Sequence, residues 1–291
     1  MDEEKLRLIR TENWKGFVPL QFELAGSDLG SDFMPPIKYI WTSRFGHLHV
    51  VASEVCSFLQ DYVVTFVQMH QRIWFSFSSE KGLIPLPSDL PIGCLVDVLD
   101  AHHHSLYPLK ITVHFSSFST LAGDKILEIC NQRDATRHFF HCFKQAIYLI
   151  NGNNTVFTMM LQAEQTCLFR AISSGNYLEF ESIVSDEMKA EREVMKNIPI
   201  RVISLNKNRT TIVVQHSPHK LSSSSEKAKE SVEMSVGQYL NESHADLGDT
   251  LPEDYAVFVQ GLLIPPDQPL FELWNVLHHG DLYLNIIILE R

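Results

Sequence analysis

The stretch DATRHFFHCFKQAIYLI, residues 134–150, decides how the rest of the chain divides. At 3.6 residues per turn, Phe139, Phe140, Phe143, Ala146, Ile147 and Ile150 fall on one stripe, about a third of the circumference wide. That period describes a helix packed by its phenylalanines. Asn151-Gly152 follows at once, and glycine past a helix C-terminus takes left-handed φ and ψ without a Cβ clash. Lys144 stands at the rim of the stripe, one turn after Phe140 and one turn before Tyr148. Its stem can lie on apolar surface while its amine stays in water. Arg137 and His141 share that flank. Helix geometry alone makes Lys144 a snorkelling surface lysine.

Around this helix, residues 124–194 carry almost no strand pattern. Helices are expected over Asp124–Gln132, running into the Lys144 helix, then over Thr155–Ser173 and Tyr177–Met195. The last ends in the mixed-charge run EMKAEREVMK, a solvated face.

The N-terminal side reads differently. Residues 5–14 form a short helix carrying Leu6, Ile9 and Trp14, and Phe17–Leu24 alternates with Val18, Leu20, Phe22 and Leu24 on one face. Pro19 lacks a backbone donor, which suggests an edge or bulged position. A second extended run follows from Lys38 into Val51, and Ser53 is a suitable N-cap for a helix striped by Val55, Phe58, Leu59, Tyr62, Val63 and Phe66. Arg72–Phe77 alternates again, Pro91 begins a short helix, and Lys110–Phe115 closes the unit as a strand. Strand, strand, helix, strand, short helix, strand is the order of a ubiquitin-like β-grasp module, although other α+β folds share it.

From Ile198 that pattern returns. Ile198–Leu205 and Thr210–Gln215 form a hairpin about the turn Asn206–Arg209. Pro218–Glu230 is a polar, serine-rich loop, and Ser235–Asn241 a candidate helix. AVFVQGLLIPPDQPLFELWN (256–275) and the apolar final strand Leu282–Leu289 follow the element order of ubiquitin's second half. The expected fold is α+β: two ubiquitin-like β-grasp modules flanking a helix-rich region, with a short N-terminal helix. The boundaries are 1–14 for that helix, 15–118 for the first module, 119–197 for the helix-rich region and 198–291 for the second module. The chain ends Ile288-Leu289-Glu290-Arg291 without Gly-Gly, so it reads as a receiver or scaffold and not as a modifier.

Composition narrows the function classes. Of 291 residues, 45% are apolar and 20% charged, which suits a full globular core. The net charge of −11 with no long basic run argues against nucleic acid as a main ligand. No apolar run approaches the roughly 18 residues that span a bilayer. The acidic start MDEEKLRLIR lacks a signal peptide's apolar region. Cys56, Cys94, Cys130, Cys142 and Cys167 are odd in number and show no CxxC spacing. They point to a reducing compartment and away from a structural zinc site. A cytosolic protein is expected.

Enzymatic chemistry finds little footing. Cys142 as a thioester nucleophile is turned away from Lys144 by its helical position, and a small buried core residue is the better reading. A thiol enzyme using Cys142 or Cys94 is the weaker alternative. His138 and His141 at i,i+3 have no third and fourth metal ligand at sensible spacing. His102–His104 reads as a solvated loop. Glycine-rich phosphate loops and HExxH are absent. No cofactor, no metal and no active site are expected.

Joint spacing then gives a more specific likeness. IWFSF (73–77), PIGCLVDVLD (91–100) and KITVHFSSF (110–118) resemble the autophagy protein five family, and HFFHCFKQAIYLINGN (138–153) resembles its acceptor helix. Each motif is weak alone; their order along the whole chain is specific. The sequence departs at Tyr107-Pro108-Leu109, where the family usually has Pro-Trp, and around Lys81–Leu90. The resemblance implies that Lys144 is an isopeptide acceptor for the C-terminal glycine of the ubiquitin-like autophagy protein twelve, with Phe140, Phe143 and Ile147 packing the acceptor helix. It implies a scaffold of the autophagy conjugation machinery. Its conjugate acts like a ligase for lipidation of autophagy protein eight with phosphatidylethanolamine during autophagosome assembly. Further implied partners are the N-terminal helix of autophagy protein sixteen, in a groove of all three domains, and transient conjugating enzymes. The implied location is cytoplasmic and peripheral at the preautophagosomal or isolation membrane. An adaptor that binds without any covalent bond is the alternative. The attacking amine must be neutral, and at pH 7 only about one free lysine in a few thousand is. Partial burial against Phe140, with cationic Arg137 and His141 nearby, would lower the pKa of Lys144.

Overall fold

The computed structural model describes residues 3–30, 35–64, 73–99, 107–115, 132–184, 188, 194–221, 233–246, 251–252 and 254–290. Helix α1 (Glu3–Trp14) leads into the first module: β1 (Phe17–Leu24), β2 (Lys38–Ser43), α2 (Leu48–Leu59), β3 (Trp74–Ser79), β4 (Gly82–Leu86), α3 (Ile92–Leu99) and β5 (Leu109–His114). The sheet order is β2-β1-β5-β3-β4, with β1 parallel to β5 and every other pair antiparallel. Four helices follow: α4 (Gln132–Asn151), α5 (Thr155–Met159), α6 (Gln162–Ser174) and α7 (Tyr177–Ile183). The second module comprises β7 (Ile200–Leu205), β8 (Ile212–His216), α8 (Val236–Asp246), β10 (Tyr255–Val259), β11 (Leu262–Leu263), α9 (Leu270–Leu277) and β12 (Leu284–Glu290). A small ladder of β6 (Asn197–Ile198) and β9 (His219–Lys220) sits beside it. Its five-stranded sheet runs β11-β10-β12-β7-β8, again with one parallel pair, β12 with β7. Two β-grasp modules flanking a helical region, preceded by a helix, is the architecture expected from the sequence.

Several local expectations are corrected. β2 stops at Ser43, and α2 begins at Leu48, so Ser53 lies inside a helix it was expected to cap. Leu48, Val51, Val55 and Leu59 are the buried stripe, with the helical 3-4-4 spacing. Polar and apolar residues alternate in His47-Leu48-His49-Val50, and His47 makes no side-chain cap, so nothing local marks the start. Pro19 lies in an interior strand, opposite Trp41 of β2. It is tolerated there because the β5 ladder begins only at Leu20. β4 was not expected; it is an edge strand, where Pro85 costs no interior ladder bond. The expected helix over Thr155–Ser173 is two helices. Met160 and Leu161 are extended between them, and the Glu164 carboxylate accepts the Leu161 N–H at 2.8 Å as a new helix start. Phe66, His102–His104, Cys130, the 124–131 part of an expected helix, residues 189–193 and residues 222–230 of the serine-rich loop lie outside the described residues.

The parts are bound together by apolar surface. Trp14, at the end of α1, stacks on Phe45 of the first module (centroids 4.3 Å apart) and packs on Phe180 of α7 (4.7 Å). From the same helix, the Arg10 guanidinium donates to the Asn275 carbonyl of the second module at 3.1 Å. One core unites the helical region with the helix-covered side of the second sheet. Another joins the first module's interior to the opposite side of that sheet, through Ile203, Ile212, Ile287 and Leu289. α3 lies between them: all its residues except Asp97 are buried, and Asp97 pairs with Arg44 at 2.5 Å.

Candidate functional site

α4 is rigid for reasons its sequence supplies. Phe143, Ala146, Ile147 and Ile150 are fully buried and Phe139 nearly so, while Phe140 packs half-buried at the border of the core. Phe140 and Phe143 meet the ring of Phe157 on α5 at 5.6 and 5.5 Å, and Phe139 meets Phe169 on α6 at 5.5 Å. The C-terminal carbonyls of α4, which a helix cannot satisfy internally, find partners at residues 196–197, where β6 begins after α7. Lys196 N–H donates to Ile150 and the Asn197 side chain to Leu149, at 2.8 and 2.9 Å. Gly152 closes the helix at φ +77°, and a Cβ there would run into the Lys196 side chain.

Lys144 is half-buried on the rim of this helix. Its ammonium overlies the ring of Phe157, 5.1 Å from the centroid, a distance at which the ring quadrupole attracts a cation. The expected floor was Phe140; the ring beneath the amine comes from α5. Lys144, His141 and Tyr148 of α4 share a cleft with His216, Pro218 and Tyr283 of the second module. Arg137 and His141 are exposed, as is Tyr148.

Behind the cleft is a buried charge pair. Arg201 donates to the Asp281 carboxylate at 2.5 Å, and its guanidinium lies 3.7 Å from the centroid of the Tyr283 ring. Burial works against both charges of the pair. Their mutual attraction holds the Asp281 carboxyl below the usual carboxylate range and the Arg201 guanidinium above its own. Burial pushes the Tyr283 phenol up to about 12. Arg201 is the direct cross-strand partner of His216. His216 is exposed at the end of its strand, and partial desolvation, then that guanidinium, lower its pKa.

On the other flank of α4, His138 lies 3.5 Å from the Asp89 carboxylate of the first module and 3.6 Å from Cys142 Sγ. The hydrogen bond to Asp89, then that to Cys142, raise its pKa to about 10. Cys142, expected as a small buried core residue, is half-buried. Cys94 is buried beside His279, with Sγ 3.6 Å from Nε2, and burial holds its thiol well above the usual range. Neither cysteine lines the Lys144 cleft. Among the described residues no group of three His, Cys, Asp or Glu is placed to hold a metal ion.

Models of three domains described as parts of autophagy protein ATG5 match the chain in order. They are the UblA domain at residues 13–115, the alpha-helical bundle region at 132–189 and the UblB domain at 197–288. The chain belongs to the ATG5 family. Similar curated members are autophagy protein 5 of Arabidopsis thaliana, 30% identical over 56% of this chain, and that of Oryza sativa subsp. japonica, 29% identical over the same share. The matched part spans 45% and 40% of those two plant proteins, less than half of each. The ATG5 relative of Scheffersomyces stipitis is 23% identical and is matched over 97% of both chains. The crystal structure of Kluyveromyces marxianus Atg5 superposes with a TM-score of 0.73 at 18% identity, covering 98% of this chain and 99% of that one, and so shares its fold. No helix among the described residues is long and apolar enough to cross a membrane.

Sequence reasoning singled out Lys144 and its packing residues and missed the second-module half of the cleft. One signal was available: Arg201 is the only charged residue in the strand run IPIRVISL (198–205), placed opposite His216 across a readable hairpin.

Proposed function

We propose that this ATG5-family chain is the acceptor and scaffold of a ubiquitin-like conjugation complex and has no active site of its own. Lys144 receives the C-terminal glycine of the ubiquitin-like autophagy protein twelve from a thioester on a conjugating enzyme. The observation that carries the reading is where Lys144 stands. It is a half-buried amine at the open edge of a cleft, on a helix fixed along its length by buried phenylalanines and capped by the strand behind it. An acceptor needs this combination, because a lysine on a fixed helix costs little further ordering when the thioester arrives. The conjugate then acts like a ligase in attaching autophagy protein eight to phosphatidylethanolamine. The N-terminal helix of autophagy protein sixteen binds non-covalently and brings the complex to the isolation membrane from the cytoplasm. The working units are residues 1–14, 15–118, 119–197 and 198–291, with Phe140, Phe143 and Ile147 as the packing residues of the acceptor helix.

Lys144→Arg tests this. Arginine keeps the charge, the stem and the helix propensity, but a guanidinium stays protonated and does not attack a thioester. In reconstitution with the activating and conjugating enzymes, the variant is expected to fold as wild type, to keep the autophagy protein sixteen helix and to form no conjugate. Conjugate at wild-type yield would place the acceptor on another lysine. Absence of any covalent adduct with wild-type protein would make the chain a non-covalent adaptor.

A further inference from the structure

A lysine side chain attacks a thioester only as the free amine, so the acceptor site must dispose of a proton. Of the described α4 side chains near Lys144, Arg137 is a cation, and His141 is exposed on the helix surface, as His216 also is. The second module supplies a different kind of group. His216 ends β8 and lines the cleft that holds Lys144. It is positioned by a chain of contacts running back into the core. The Tyr283 ring meets the His216 imidazole edge to face at 5.7 Å and 88°, the Arg201 guanidinium backs Tyr283 at 3.7 Å, and Asp281 fixes Arg201 at 2.5 Å. Taking two charges out of water is costly, and a buried ion pair is often no more stabilising than apolar residues of the same volume. Here the pair orders one wall of the cleft.

We propose that His216 is the proton acceptor for the Lys144 amine, so that the acceptor site is built from two domains; this rests on the acceptor reading above. The step balances as follows. The Lys144 ammonium gives one proton to the unprotonated ring nitrogen of His216, and the freed lone pair forms the C–N bond to the thioester carbonyl. The tetrahedral intermediate collapses with cleavage of the C–S bond. A second nitrogen-bound proton leaves with the departing sulfur as the thiol, and His216 returns its proton to water. A neutral imidazole is required, and the surroundings favour one. Partial desolvation and Arg201 lower the pKa of His216, with a smaller push from His138 across the seam on α4. Asp281, and Asp89 of the first module, act in the opposite sense. Tyr283 stays a neutral phenol, and Lys144, His141 and Tyr148 are the titratable groups on the facing side of the cleft.

The test uses the full chain and a small acyl donor, the N-acetylcysteamine thioester of N-acetylglycine, with acylation at each lysine read by peptide mass spectrometry. Exposed Lys15 is the internal reference. In wild type, Lys144 should acylate faster than Lys15 at pH 7. His216→Gln should lower that ratio on the order of 100-fold, the lower range for general base catalysis. The defect should shrink towards pH 10, where an amine needs no base, and added imidazole should restore His216→Ala at pH 7. A merely structural loss would be equal at both pH values and unrescued, and that result overturns the proposal. So does an unchanged ratio in His216→Gln, or a Lys144 that is no faster than Lys15 in wild type. Parallel reconstitution with the conjugating enzyme separates the two ideas. Conjugation at Lys144 with no dependence on His216 removes only the base. A His216-dependent Lys144 that the enzyme never conjugates removes the acceptor reading.

Discussion

The two β-grasp modules share one strand order, yet their sheets meet different surroundings. Ordered by position within each module, both sheets run second, first, fifth, third, fourth strand. In the first module one side is packed by Val18, Leu20, Phe22 and Leu24 against α2, and the other leaves Phe17, Tyr39 and Trp41 exposed at 52%, 59% and 71%. In the second module both sides are covered. Leu284, Ile286 and Ile288 face its own helices and the helical region, while Ile287 and Leu289 join the core of the first module, where α3 contacts β12 and β7. A strand covered on one side alternates; a strand covered on both reads as a continuous apolar run. Phe17–Leu24 and Ile286–Leu289 are those two cases in one chain. The apolar run Ile286–Leu289, which follows the buried Asn285, is therefore the signature of an interface between modules.

Matched substitutions can break this comparison. Ile287→Asp buries an unpaired carboxylate between the modules, which burial makes very costly, and is expected to abolish cooperative folding, visible as loss of a sharp urea transition. Acid should act next most strongly, on the seam. His47 and His49 of the first module and His279 of the second are buried. Desolvation lowers their pKa values to about 3, about 4 and about 4. The unfolded chain binds protons at these sites below about pH 6.5 and the folded chain does not. Their contribution is thus complete above that value and is lost as pH falls towards about 4. His138 has the opposite sign. Its pKa, raised to about 10, stabilises fully below about pH 6.5 and fades as pH rises through 10. Its pair with Asp89 is partly exposed to water, so this alkaline limb should be the shallower. Urea midpoints measured from pH 10 down to pH 4 should peak near pH 6.5. A flat acid limb would show that water reaches the seam. Smallest of all, Trp41→Ala on the open side of the first sheet should shift stability by under about 0.5 kcal/mol, despite removing a larger side chain than Ile287.

What the sequence disclosed follows the same division. Elements whose pattern is set by one covered side were legible: α4 from its phenylalanine stripe and Gly152, β1 from its alternation, α9 from Leu270, Leu273, Trp274 and Leu277. The start of α2 was hidden because His47 and His49 are polar residues buried at the seam, so a helix imitated strand alternation. β4 was hidden because Gly82 and Pro85 are turn-like residues that an edge strand tolerates. Of the candidate site, Lys144 was singled out by the likeness of HFFHCFKQAIYLINGN (138–153) to the family's acceptor helix, since its place at the rim of the stripe reads by itself as a surface lysine. His216 and Tyr283 were not, since they reach the cleft from β8 and from the residue before β12, nor was Phe157 of α5 beneath the amine, and no local period connects them.

The account depends on Lys144 as the acceptor. Protein purified from its own cells, digested with trypsin and sequenced by mass spectrometry, tests this directly. The prediction is a branched peptide in which the C-terminal glycine of a ubiquitin-like protein is joined to Lys144, with the uncut mass of the chain raised by one such protein. A native population that is wholly unbranched, or branched at a lysine outside the cleft, would contradict it.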